Sequence, residues 1–179
     1  MANNVDIQCI IDGCQRGEAQ WQRALYERYS ARFYALCRRY TGDDELAKDL
    51  LIDGFVSIFD SIDQYRGTGV FEAWMNRIFV RATVRRLMQR QRNRVQLSEE
   101  SVLEHLQVRQ ESLFDLRNTL DIAMECLDAE QRTTFNLVAV EGYSFTEVAH
   151  MTNRSVSAVK HRYYQARDTM KRILGEIEI

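Results

Sequence analysis

The chain has 179 residues, of which 45% are hydrophobic and 28% charged, with a net charge of −2, eight glycines and no proline. This supplies apolar material for one medium domain or two small soluble ones, and too few turn formers for a sandwich or a barrel. No run approaches the roughly eighteen uninterrupted apolar residues of a membrane span, and the opening MANNVDIQCI lacks a basic segment followed by an apolar one, so a cytoplasmic chain is expected.

Four cysteines (Cys9, Cys14, Cys37, Cys126) form no C-x-x-C pair, and the three histidines (His105, His150, His161) are isolated. Free buried thiols are therefore expected, with no zinc site, disulfide framework or cofactor.

Helical periodicity dominates the first half. Trp21, Leu25, Tyr29, Phe33, Leu36 and Tyr40 trace one stripe of a long helix, and Thr41 with Asp44 reads as a capping box for the next. That second helix carries Ala47, Leu51, Phe55, Ile58 and Ile62 on one face. After a glycine-containing loop from Tyr65 to Val70, a third helix is predicted over about 71–92, with Phe71, Met75, Ile78 and Ala82 as its buried stripe. Residues 95–115, rich in glutamine and acids, read as a linker between a domain over 1–94 and another over 116–179.

The second half restarts the pattern. Leu116, Leu120, Ala123 and Leu127 suggest a short helix, and Asp128 with Gln131 caps another that Gly142 ends. Ser144 with Glu147 then caps a very short helix, Thr152-Asn153-Arg154 is a turn, and Ser155 opens a last helix. No strand pattern appears, so the expected fold is all-α, two small helical domains joined by a flexible acidic linker.

Charge falls in blocks. Seven acids stand between Asp43 and Asp63, then seven arginines and no acid between Trp74 and Arg94. Five acids follow between Ser98 and Asp115, and six Lys/Arg stand between Arg154 and Arg172. Two separated basic blocks suggest two contacts with one polyanion.

The helix-turn-helix arrangement over 144–166 fits the second block. Ala149 is small where the helices cross, and Val148, Val156, Val159 and Ala166 are expected to close the core. Ser157, Ala158, Lys160, His161, Arg162 and Gln165 then face outward, where they could read base edges or grip phosphates. In the first block Trp74, Arg77, Arg81 and Arg85 share one helix face. Such a face suits nucleic acid whose bases splay out, with the Tyr65–Phe71 loop as a pocket for one, while Trp74 itself is expected to pack on a neighbouring helix. Asp49, Ile52, Asp53, Val56 and Phe59 lie near one edge of the acidic second helix. Acids mixed with apolar residues suit docking onto a basic helix of another protein, although a solvated face with Phe59 in the core fits the periodicity equally. G-x-S-x-G, P-loop and H-E-x-x-H motifs are missing, which argues against an enzyme.

The segments over 44–60, 71–93 and 127–174 together resemble the two domains of an ECF-type (extracytoplasmic function) bacterial RNA polymerase sigma factor, the F-x-A-W motif at Phe71 being the most specific feature. The resemblance implies a sigma factor that binds core RNA polymerase and directs promoter-specific transcription initiation. Docking is implied at Asp49, Asp53 and Phe55, on the edge where the residues themselves put Ile52 and Val56. The −10 element would lie at Tyr65, Arg66, Phe71, Asn76, Arg77, Arg81 and Arg85. The −35 element would lie at Arg154, Ser155, Ser157, Ala158, Lys160, His161, Arg162 and Gln165. It implies three partners: core RNA polymerase, promoter DNA and an anti-sigma factor. The chain departs from the family pattern at Ile52, Arg81 and Arg85, where glutamine, asparagine and aspartate are usual, and lacks a proline before Asp128. A self-sufficient dimeric helix-turn-helix regulator, binding half-sites about one helical turn apart, is the alternative.

Overall fold

The computed structural model describes residues 6–97 and 123–177, and every regular element among them is helical. They form two compact units that divide between Val84 and Arg85.

The first unit opens with α1 (Ile7–Gln15), an element the sequence reading above does not include. Its signal is nonetheless present, since Ile7, Ile10, Ile11 and Cys14 stand at helical spacing and the last three are buried. Asp6 caps it, accepting from the Gln8 N–H at 3.1 Å. The long α2 (Ala19–Thr41) buries Leu25, Tyr29, Phe33, Leu36 and Tyr40, as the periodicity predicts. It ends at Gly42, whose φ of 67° is the left-handed conformation that favours glycine.

The cap of α3 (Asp44–Ser61) is Asp43, not Thr41. Asp43 Oδ1 accepts from the Leu46 N–H at 2.7 Å. Thr41 still belongs to the last turn of α2, so its hydroxyl faces the connection and accepts from the Asp43 N–H at 3.1 Å. Ala47, Leu51, Phe55 and Ile58 are buried, and Ile62 begins a single 3₁₀ turn (Ile62–Gln64).

Three phenylalanines hold α2, α3 and α4 (Phe71–Leu97) together. Phe33 and Phe79 stack with centroids 4.2 Å apart and planes 5° from parallel. Phe55 meets both edge-on, at 5.9 and 5.7 Å, the geometry favoured by the ring quadrupole. The predicted stripe of α4 omits Phe79, Val80 and Val84, all buried, while Ile78 is half-buried. This helix buries more than one face, so its apolar positions are wider than a single 3–4 stripe.

In the second unit a short helical stretch over 123–125 leads to α5 (Ala129–Phe135), capped reciprocally by Asp128 and Gln131. The helix widens into a π turn (Asn136–Val140) before Gly142, whose φ is 77°. Arg132 secures the preceding segment: its Nε donates to the Met124 carbonyl at 2.9 Å and its Nη2 to those of Glu125 and Leu127 at 3.1 Å. Helix α6 (Phe145–Thr152) begins at the Ser144/Glu147 capping box and ends at Asn153, with φ of 53°. Ser155 Oγ accepts from the Ala158 N–H at 3.2 Å and opens α7 (Val156–Ile177).

Val148, Ala149, Val159 and Ala166 are buried, but Val156 is exposed. It occupies the first position of α7, at the helix end, before the buried run of Val159, Ala166 and Met170 begins. Cys14 and Cys37 are buried, and burial pushes their thiols up to about 11 and about 12. Cys9 and Cys126 are exposed, against the expectation that all four are buried. Leu116 and Leu120, and the linker from residue 98 on, lie outside the described residues, while α4 continues through its first three residues.

Gly54 is the point where α3 makes room for Phe79. A Cβ there would lie 2.3 Å from Phe79 Cζ, closer than real contacts allow. Gly54→Ala gains helix propensity of about 1 kcal/mol and loses more than that by displacing the ring. Net destabilisation of roughly 1–3 kcal/mol is expected in thermal or urea unfolding. Unchanged stability would show that the three-ring stack yields without cost.

Candidate nucleic-acid interface

Along α3 the side chains divide as a helix must. Asp49, Ile52 and Val56 are exposed, the two aliphatics at 59% and 52%, with Asp53 half-exposed beside them. Ile52 and Val56, four residues apart, form a small exposed apolar strip bordered by Asp49 and Asp53. Phe55 does not belong to it. It is 3% exposed and faces the Phe33–Phe79 stack, because it repeats the buried spacing of Leu51 and Ile58. Phe59 is half-buried, 6.0 Å from Phe55.

The loop between α3 and α4 is built rather than free. Gln15 Nε2, from α1, donates to the carbonyls of Ile62 and Tyr65, both at 3.1 Å, and so fixes the base of the loop. Tyr65 Oη donates to the Gly69 carbonyl at 3.0 Å and closes it. Val70 is left 66% exposed at its end. The rings of Tyr65, Phe71 and Trp74 cluster at the start of α4, with Phe71 and Trp74 stacked at 5.6 Å and Tyr65 tilted against both. The Trp74 ring thus meets Tyr65 of the loop and Phe71 of its own helix. Phe71 is buried and supports this cluster from beneath, so its side chain is not a surface group. Arg66, Arg77, Arg81 and Arg85 are exposed and Asn76 is half-buried. The result is an aromatic ledge leading to a row of guanidiniums at helical spacing.

One hydrogen bond ties this start of α4 to α2. Tyr29 Oη donates to Glu72 Oε1 at 2.6 Å. Burial first, then the Glu72 bond, pushes the Tyr29 hydroxyl up to about 12, so it stays a donor. The same bond first, then one from the Glu72 backbone N–H, with the Arg32 and Arg28 charges adding to them, hold the Glu72 carboxyl below its ordinary value. Sequence periodicity signalled neither Gln15 nor the Tyr29–Glu72 pair, because both act across elements distant in the chain.

On α7, Ser157, Lys160, His161 and Gln165 are exposed and Ala158 is partly so. Lys160 Nζ lies 5.8 Å from the centre of the Phe145 ring, at the first position of α6. Phe145 in turn meets Tyr163 edge-on at 5.4 Å, which anchors the two helices to each other. Arg154 and Arg162 converge on one carboxylate. Glu130 Oε1 accepts from Arg154 Nη2 at 2.6 Å, and its Oε2 forms an ion pair with Arg162 Nη2.

Among the described residues no three or more His, Cys, Asp or Glu converge as a metal site, and no helix is long and apolar enough to cross a membrane.

A four-helix unit with an aromatic and arginine ledge, and a second unit carrying a helix-turn-helix, are two halves of one known design. The sigma-70 region 2 family matches residues 25–93, and the sigma-70 region 4 family matches residues 117–170. The ECF RNA polymerase sigma-E factor of Haemophilus influenzae is 25% identical over 183 residues, covering 96% of both chains. The Escherichia coli factor of the same name is 23% identical, covering 95% of both. The solved sigma factor RpoE of Bartonella quintana, in complex with the anti-sigma factor NepR, shares the fold. Its TM-score is 0.54 at 21% identity, over 86% of this chain and 96% of that one. The chain belongs to the sigma-70 family, as an ECF-type sigma factor that directs RNA polymerase to promoters.

A carboxyl held below its unfolded value stabilises the fold above that value, and the contribution is lost as pH falls through the folded one. Tyr29→Phe is expected to cost roughly 1–2 kcal/mol near neutral pH and to flatten the fall in stability below about pH 4.5. Urea unfolding of both proteins between pH 3 and 7 measures this. An equal acid slope in the variant would mean that Tyr29 does not set the Glu72 charge.

Proposed function

We propose that the exposed edge of α3 docks on core RNA polymerase, with Asp49 and Asp53 facing basic groups and Ile52 and Val56 covering apolar surface. Phe55 and Phe71 act beneath their surfaces and not on them. The loop from Tyr65 and the exposed arginines of α4 take the −10 element, the aromatic ledge offering stacking faces to unpaired bases. Helix α7 takes the −35 element in the major groove through Ser157, Lys160, His161, Arg162 and Gln165, with Arg154, Ser155 and Ala158 at the groove edge. Residues 1–94 form the polymerase-docking and −10 domain, 95–115 the linker and 116–179 the −35 domain. The chain catalyses nothing itself and works in the cytoplasm, where polymerase and promoters are.

The observation that carries this reading is the pairing, on one helical unit, of an acidic edge studded with exposed Ile52 and Val56 and a separate row of arginines. A DNA-binding dimer needs no such edge, whereas a polymerase subunit needs both. The solved relative's partner supports an anti-sigma factor that covers one of these surfaces. Each DNA contact is weak alone and becomes strong once polymerase fixes the spacing of the two, an effective-concentration gain.

Reconstitution with core RNA polymerase tests both ends. Asp53→Arg is expected to abolish co-purification with core while circular dichroism stays that of the parent. Lys160→Ala is expected to keep core binding and lose roughly 1–3 kcal/mol of promoter binding if the amine reads a base. If it touches phosphate alone, binding falls alike on all sequences and the salt slope drops by about one. Retained core binding by Asp53→Arg would remove α3 as the docking face.

A further inference from the structure

Glu130 lies at the second position of α5, outside the helix-turn-helix itself, yet it meets two of the arginines expected at DNA. Its side chain is 15% exposed, against 50% for Arg154 and 38% for Arg162. The carboxylate is thus sunk beneath a surface from which both guanidiniums emerge. Arg154 belongs to the turn, where its N–H donates to the Ala149 carbonyl at 3.0 Å, and Arg162 lies two turns into α7. One acidic group therefore ties the turn to the body of the recognition helix, and Gln91 Nε2 of α4 donates to the same Oε1 that Arg154 meets.

We infer that Glu130 is a positioning residue for −35 selection: its carboxylate holds Arg154 and Arg162 at fixed orientations, so that their remaining N–H groups meet DNA in one register. This rests on the reading of α7 as the −35 helix. An arginine carries five donors in a rigid fork; Arg154 gives one of them to Glu130 through Nη2 and Arg162 faces the other carboxylate oxygen as an ion pair, leaving the remaining donors for phosphate or base edges. Their side-chain freedom is restricted before DNA arrives, so less is lost on binding. A free arginine at either position would still attract DNA, but it would do so from many orientations. The carboxylate thus trades some non-specific attraction for selectivity.

The test is run-off transcription by core polymerase with the full-length chain, on a promoter library randomised across the −35 region. Glu130→Gln keeps the shape and removes the charge. Glu130→Asp keeps the charge and withdraws it by one methylene. Positioning predicts that both variants flatten the sequence preference, with the ratio of best to median promoter falling at least five-fold, while core binding persists. Thermal unfolding identifies any variant that fails to fold, and the other then carries the test.

Three results would overturn the inference while leaving α7 at the −35 element. Tighter use of every promoter by Glu130→Gln with an unchanged preference would make Glu130 a charge brake. A lowered melting temperature with the preference intact would make it a structural strut. Wild-type behaviour of Glu130→Asp beside a flattened Glu130→Gln would show that charge and not placement matters. If the unaltered chain shows no preference across the −35 region, the assignment of α7 fails and the inference goes with it.

Discussion

The stack of Phe33 on Phe79, with Phe55 edge-on to both, is the contact on which the first unit depends. One ring comes from each of α2, α3 and α4, so the cluster fixes the roll of all three helices about their axes. Roll decides function here. It turns Ile52 and Val56 outward on α3 and presents the arginines of α4 to solvent. Gly54 permits the close approach, since a side chain there would occupy the space of the Phe79 ring. A core of aliphatic residues could bury similar area without specifying orientation so narrowly, because ring faces and edges are not equivalent.

Much of this was legible in the sequence because helices announce themselves locally. The stripe on α2, the reciprocal caps at Asp128 and Ser144, the turn at Asn153 and the Ser155 start are all short-range signals, and the structure has each of them. What was not legible is long-range. Phe79 lies off the single stripe expected of α4, and only packing on two helices at once explains its burial. Gln15 clamps a loop some fifty positions away, and no periodicity can express that. The Thr41 misreading has a local cause: two oxygen-bearing residues, Thr41 and Asp43, stand within reach of the same helix start, and the end of α2 consumes the first of them.

The candidate surfaces show the same division. Residue type and spacing found the basic faces, since charge at helical intervals is visible in any sequence. The family resemblance placed Phe55 on the acidic docking edge and Phe71 at the −10 face, because it carries over positions without saying which are support and which are contact. Burial separates the two. Glu130 escaped the sequence reading for a related reason: an isolated acid in the first turn of a helix reads as a dipole complement, and its pairing with Arg154 and Arg162 exists only once the domain is folded.

The central claim is that the chain is a polymerase subunit whose DNA contacts become effective on the enzyme. Size-exclusion chromatography of the purified chain with core RNA polymerase lacking any sigma factor, at moderate salt, tests it most directly. The account predicts stoichiometric co-elution with core, reversed by an excess of a competing sigma factor. Separate elution of the folded, helical chain would contradict it, and elution as a dimer would favour a self-sufficient regulator.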